Sequence, residues 1–214
     1  MKTISAEQAA AMIPDGASVM IGGFMGVGTP ERIVDTLVAR RTGGLTVIAN
    51  DTAAPGVGVG KLVRAGLVRR AIVSRIGLNP ETQQQMIAGK IDVDLVPQGT
   101  LIERIRAGGH GLGGILTATG VGTVVENGKQ TLALDGRKFL VEVALRADFA
   151  LVSAFLADYL GNLTYGLTAR NFNPIIATAA DVVIVDADNI VPTGVIAPDH
   201  VVTPAPLIDY VLAH

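Results

Sequence analysis

The stretch from Ser18 to Val34 constrains the fold more than any other part of the chain. Ser18-Val19-Met20-Ile21 is a short apolar run that stops at Gly22-Gly23-Phe24-Met25-Gly26-Val27-Gly28, and Thr29-Pro30-Glu31 follows. Ile33, Val34, Leu37 and Val38 then repeat at helical spacing, with Thr29 placed as the expected N-cap and Pro30 at the first helical position. The stretch therefore reads as strand, glycine loop, helix. Its glycines permit backbone angles that a side chain would forbid and leave N–H groups accessible. Such a loop at a helix N-terminus suits a phosphate, a thioester oxygen or a carboxylate; its other reading is a tight strand-to-helix turn.

The rest of the chain repeats this alternation. Ser5 to Ile13 reads as a helix, Leu45–Ala49 as a second strand, Lys61–Ala65 as a short helix and Val68–Ser74 as a third strand. Asn79-Pro80-Glu81 starts a helix to about Ala88, Asp92–Val96 is a fourth strand, and Thr100–Ala107 is helical. Alternating strands and helices imply right-handed crossovers and a mostly parallel sheet. After the flexible run Gly108–Gly114 the pattern changes. Thr123–Leu134 reads as a hairpin turning at Asn127-Gly128, with a second turn at Asp135-Gly136 before Phe139–Val143. Phe149–Phe155, a helix around Pro174–Ala179, and Asp181–Val185 return to the first pattern. The expected fold is one α/β domain over 1–214, an open and mostly parallel sheet flanked by helices, with a small antiparallel insertion.

Composition narrows the function. Hydrophobic residues make up 49% and charged residues only 17%, which suits a buried sheet and argues against disorder. A net charge of −2 with no basic block points away from nucleic acid. No cysteine is present, so a thiol nucleophile and a thiolate zinc site are excluded. No apolar core follows Lys2, and no apolar run is long enough to span a bilayer, so the expectation is a cytoplasmic protein with no membrane partner. With so apolar a composition, part of the surface is expected to be buried against another subunit.

Motif tests remove several chemistries. The dinucleotide pattern fails because Glu31 takes the third glycine position, although Asp51 mimics a ribose-binding acid. A Walker A loop fails at Pro55 and Leu62, and no Gly-x-Ser-x-Gly elbow occurs. His110, His200 and His214 are too scattered for a metal site. Asn50, Asp51 and Gln98 lie at carboxyl ends of expected strands, where open α/β sheets bind ligands. Asn50 and Gln98 would donate to a carbonyl or oxyanion, or else cap their loops. Glu31, Glu81 and Glu103 fall on helices, and Glu126 reads as a turn residue.

Several segments together resemble the 3-oxoacid CoA-transferases, in the α subunit of the two-subunit bacterial enzymes. They are Gly22–Pro30, Asn50-Asp51-Thr52, Gly77-Leu78-Asn79-Pro80-Glu81-Thr82, the run from Pro97 to Gly109, Thr119–Thr123, Leu160–Tyr165 and Ala169–Pro174. The resemblance implies reversible, ping-pong exchange of CoA between an acyl-CoA and a free acid, with coenzyme A thioester as substrate and no permanently bound cofactor. It implies a nucleophilic glutamate on a β subunit, in a Ser-Glu-Asn-Gly-like context, and an α2β2 assembly. Glu126-Asn127-Gly128 copies three of those letters but follows Val125, so the nucleophile is not transferred to Glu126, and no catalytic residue is assigned to this chain. The loop Gly22, Gly23, Phe24, Met25, Gly26, Val27 and Gly28 would bind CoA, and Asn50 and Gln98 would position the acyl group. Acetate and acetoacetate are the nearest substrates in this resemblance; butyrate, 3-oxoadipate and succinyl donors stay open. The alternatives are an NAD-type binding domain and a non-catalytic module that senses an acyl-CoA or anion.

Overall fold

The computed structural model describes residues 2–213, so Met1 and His214 lie outside the described residues. The chain begins with β1 (Lys2–Ile4) and α1 (Ala6–Met12), then runs through β2 (Ser18–Ile21), α2 (Glu31–Arg40), β3 (Leu45–Ala49), α3 (Val59–Arg64) and β4 (Val68–Val73). It continues with α4 (Pro80–Ile87), β5 (Asp92–Leu95), α5 (Gln98–Gly109), β6 (Gly114–Thr117), β7 (Thr131–Leu134) and β8 (Arg137–Val143). Last come β9 (Ala147–Asp158), β10 (Leu163–Thr164), α6 (Asn173–Ile176), β11 (Ala180–Val191) and β12 (Tyr210–Leu212).

The main sheet has the order β1-β12-β11-β9-β2-β3-β4-β5, parallel throughout, with β10 pairing antiparallel to β9 alone. The period-2 alternation of β2 sends its side chains to opposite faces. Val19 and Ile21 join one core with Ile33, Val34 and Leu37 of α2 and Leu62 and Val63 of α3. Met20 joins the other, with Leu101 and Ile105 of α5 and Ile176 of α6. A strand buried on both faces has no polar side, which is why these segments read as near-continuous apolar runs. Among the described residues no helix is long and apolar enough to cross a membrane.

A second sheet of three antiparallel strands, β6-β8-β7, forms the insertion. Its hairpin turns at Asp135-Gly136, with φ of 48° and 72°, the left-handed pair that a two-residue turn requires. The hairpin expected at Asn127-Gly128 is not formed. Val124–Glu126 is instead one turn of 3-10 helix, because the Thr123 hydroxyl accepts the Val125 N–H and the Glu126 carboxylate accepts the Gly122 N–H. Local side-chain bonds to the backbone outcompete strand pairing here. One face of the insertion buries Leu140 and Glu142; on the other, Leu116, Leu132 and Val143 stay largely exposed.

At the amino ends of the central strands, the Ser18 N–H and hydroxyl donate to Asp148 Oδ2 at 2.8 and 2.7 Å, joining the starts of β2 and β9. The Ser18 backbone bond, then the hydroxyl bond, holds the Asp148 carboxyl below its ordinary value. A depressed folded-state pKa gives stabilisation that is full above the unfolded pKa and is lost as pH falls through the folded one. Asp148→Ala should therefore cost about 1 kcal/mol at neutral pH, a figure kept small because the pair is exposed and screened. The difference from wild type should shrink to nothing in strong acid, as urea unfolding at neutral and acid pH will show.

Candidate active site at the carboxyl ends of the central strands

The chain leaves β2 toward β3 on one side and later places β9 on the other side of β2. That reversal makes the carboxyl ends of β2 and β9 the topological switch point, where open sheets of this kind bind ligands. The glycine loop follows β2 directly and occupies this place.

The loop is a tight turn whose donors are mostly engaged within the chain. Phe24 and Val27 exchange both N–H···O bonds at 3.0 Å, with Met25 at φ 53° and Gly26 at φ 91° between them. Gly22 N–H donates to Leu151 O, Gly23 N–H to Asn171 Oδ1, and Thr29 N–H to Gly26 O. Met25 N–H is held by the Asp51 carboxylate at 3.0 Å. Among the described residues only Gly26 and Gly28 keep loop N–H groups with no acceptor in the chain. Met25 and Val27 are about half exposed at the tip. Beneath it, between Gly22, Ala49 and Asp51, no room is left for a water molecule. A ligand must therefore meet the outer surface of the loop.

Two side chains from the far end of the sequence set the loop's shape. Asn173 is fully buried; its amide nitrogen donates to Gly28 O and Ala169 O at 2.9 and 2.8 Å, and its oxygen accepts the Ser153 N–H. Gly22 must be glycine, since a Cβ there would lie 1.8 Å from Asn173 Oδ1. Asn171 accepts the Gly23 N–H at 3.1 Å and donates to Val27 O at 3.0 Å. A Cβ on Gly26 would meet Val57 Cγ1 at 2.4 Å, so Gly26→Val would distort the turn as well as obstruct a ligand.

The helix N-terminus behind the loop differs from expectation. Pro30, not Thr29, is the N-cap, and no side chain of its own caps α2. Asp186 of β11 supplies the cap: its Oδ2 accepts the Arg32 N–H at 3.0 Å and its Oδ1 accepts Arg32 Nε at 2.7 Å. With Asp186 and Glu31 already at the positive end of α2, the dipole is met by the protein's own carboxylates.

Asn50, Asp51 and Gln98 do come together. Gln98 Nε2 donates to Asn50 Oδ1 at 2.6 Å, and Asn50 Nδ2 donates to Asp51 Oδ2 at 2.7 Å. Asn50 is fully buried, with both ends of its amide used inside the chain, whereas Gln98 is exposed. Asp51 also accepts the Ala53 N–H at 2.8 Å, so its oxygens are occupied and it is not open to a ribose. Ser74 Oγ closes the set by donating to Asn50 O. Arg75, which no sequence motif marks, lays its guanidinium over the Phe24 ring, 4.6 Å from the centroid.

Glu126 closes the 3-10 turn that precedes β7 and pairs with Lys138 of β8. Gly122 N–H and then Lys138 hold its carboxyl below the ordinary value. Next to the switch point, an open groove of about 650 Å³ is lined by Phe155, Tyr165, Arg170, Val195 and His200. Burial pushes the Tyr165 phenol up, and its oxygen lies 2.6 Å from Thr203 Oγ1.

The clamp makes separable predictions. Asn173→Ala leaves a buried carbonyl pair and an N–H without partners and should lower stability by about 2–4 kcal/mol, read from urea unfolding. Asn171→Ala should leave the core intact yet speed hydrogen exchange at the Gly23 amide by about tenfold or more.

The pattern of the family described as Coenzyme A transferase matches residues 3–214. The chain is 56% identical over 211 residues to the alpha subunit of the acetate CoA-transferase of Escherichia coli strain K12, covering 99% of this chain and 96% of that one. It is 44% identical over 211 residues to the alpha subunit of the acetoacetyl-CoA:acetate/butyrate CoA transferase of Clostridium acetobutylicum, covering 99% of this chain and 97% of that one. Among solved structures, an acyl-CoA transferase of E. coli O157:H7, in a thioester complex with CoA, superposes with a TM-score of 0.89 at 23% identity. That alignment takes in all of this chain and 47% of the other, so this chain spans about half the length of that one. The family pattern over residues 3–214 and the sequence relatives lead to one conclusion: the chain belongs to the coenzyme A transferase family, as a member of its α-subunit branch.

Proposed function

We propose that this chain is the α subunit of a two-subunit cytoplasmic enzyme that moves CoA reversibly between an acyl-CoA and a short-chain 3-oxoacid such as acetoacetate. The nucleophile is a glutamate on the β subunit, and the assembly is α2β2. That carboxylate attacks the thioester carbonyl, the C–S bond breaks, and CoA leaves as the thiolate. The thiolate then attacks the glutamyl carbonyl of the mixed anhydride, releasing the free acid and leaving a glutamyl–CoA thioester. The second acid runs the same steps in reverse.

The observation that carries the division of labour is the state of this chain's own glutamates. A nucleophilic carboxylate needs an oxygen open to the cleft. Glu31 is paired with Lys61, Glu81 with Arg64, Glu103 with Arg106, Glu126 with Lys138 and Glu142 with Lys129. The remaining glutamate, Glu7, sits in the first turn of α1. What this chain offers the cleft is donors: the outer face of Gln98 and the free N–H groups of Gly26 and Gly28. In this reading they complement the charge that develops on the thioester oxygen, and Asn50 fixes the orientation of Gln98. The length of the CoA-bound structure's chain, about twice that of this one, supports the partner as well. The exposed apolar side chains Leu116, Leu132 and Val143 fit a surface covered in the assembly.

Transfer from acetyl-CoA to acetoacetate should be absent with this chain alone and present when it is co-expressed with its β subunit. Gln98→Leu in that pair should lower kcat by about 100–1000-fold, as loss of one oxyanion donor does, with little change in melting temperature. Turnover by the chain alone would contradict the divided site. A chain that binds acyl-CoA but transfers nothing in the pair would favour the sensing module instead.

A further inference from the structure

Asp51, just past the end of β3, is buried with both of its oxygens engaged. The Met25 N–H reaches Oδ1 and Oδ2 at 3.2 and 3.0 Å, the Ala53 N–H reaches Oδ1 at 2.8 Å, and Asn50 Nδ2 reaches Oδ2 at 2.7 Å. A carboxylate only accepts, so the end of the Asn50 amide that faces it must be the nitrogen. The Asn50 oxygen is thereby turned to Gln98, and the end of the Gln98 amide 2.6 Å away must be nitrogen as well. Asn50 is fully buried, so solvent offers it no other partners. Two primary amides, each able to turn end for end, are thus given one polarity by a single carboxylate. The same carboxylate holds Met25, which stands at φ 53° on the tip of the glycine loop.

We propose that Asp51 is a positioning residue for acyl transfer: it sets which end of the Gln98 amide faces inward, and it fixes that donor relative to the tip of the glycine loop. This rests on the reading of Gln98 as a donor to the thioester oxygen. Asp51→Asn keeps the size of the side chain and changes its hydrogen-bonding sense. The new oxygen would take the Met25 and Ala53 N–H groups, and the new nitrogen would face Asn50. Asn50 would then turn its oxygen to that nitrogen, and Gln98 would turn its own oxygen to the Asn50 nitrogen. A lone pair would stand where the Gln98 nitrogen now lies, so the donor would leave its place with little loss of packing. Adding Asn50→Asp reverses this. With a carboxylate at position 50 and an amide at position 51, both partners of position 50 must again be nitrogens.

The test assays the α/β pair with acetyl-CoA and acetoacetate, this chain carrying Asp51→Asn, Gln98→Leu, both together, or Asn50→Asp with Asp51→Asn. Asp51→Asn should lower kcat by about 10–100-fold and leave the KM for acetyl-CoA within about threefold. In the Gln98→Leu background the same change should lower kcat by less than about threefold more, because the group it acts through is gone. Asn50→Asp with Asp51→Asn should recover about tenfold of the loss. A wild-type kcat in Asp51→Asn, or an equal loss with and without Gln98, would overturn the proposal. So would a swapped variant that keeps the wild-type melting temperature and recovers nothing. If the wild-type pair transfers no CoA, the functional reading fails by itself, and proton exchange at the Gln98 side-chain amide, followed by NMR, decides whether Asp51 sets its orientation. In the wild type one Nε2 proton should exchange about tenfold more slowly than the other, and in Asp51→Asn both should exchange at one fast rate. Equally fast exchange of both protons in the wild type would overturn the proposal.

Discussion

The shape of the glycine loop depends on two asparagine side chains that reach it from about 145 residues away in sequence. Asn173 fills the space that a side chain on Gly22 would need, and it holds Gly28 from the inside. Asn171 grips both arms of the turn, through Gly23 and Val27. Satisfying backbone groups with the buried Asn173 amide and the partly buried Asn171 amide ties the loop to the packing of α6 against the sheet. A loop held in this way presents its outer surface without further ordering when a ligand arrives, and preorganised donors are the effective ones in acyl transfer.

The electrostatics follow from how the carboxylates are used. Asp186 caps α2 and pairs with Arg32, Asp51 holds the Met25 N–H and Asn50, and Glu31 faces Lys61. Negative charge inside the site is thereby neutralised by the protein's own donors. The Gly26 and Gly28 N–H groups and the Nε and Nη2 of Arg75 keep no acceptor within the chain, and these are donors suited to oxygen atoms that carry charge. That inventory suits a subunit that receives and orients a thioester while another chain supplies the attacking group.

Much of the fold was legible because its signals are local. The β2–loop–α2 stretch, the Asn79 cap of α4 and the alternating crossovers all rest on residues a few positions apart, and Asn79 indeed accepts the Glu81 and Thr82 N–H groups. Expectation and structure part where a distant residue decides. Local spacing puts the α2 cap on Thr29, but Asp186 supplies it across 154 residues. The β-branched run Thr123-Val124-Val125 resembles a strand arm, yet hydroxyl and carboxylate bonds to the local backbone wind it into a 3-10 turn. The strands β1 and β12, which join the two ends of the chain on one edge of the sheet, are three residues each and carry almost no periodic signal. Within the site, the position of Asn50 just past β3 was readable, whereas Gln98, expected in the loop that closes a strand, is the first residue of α5. Their bond to each other, and the arginine beside them, needed the sheet order.

The most direct test of the divided site is the intact mass of each chain after the α/β pair is mixed with acetyl-CoA and denatured. The account predicts a CoA adduct at a glutamate of the β subunit, with this chain unmodified. A CoA adduct on this chain, at Glu126 or any other glutamate, would contradict it.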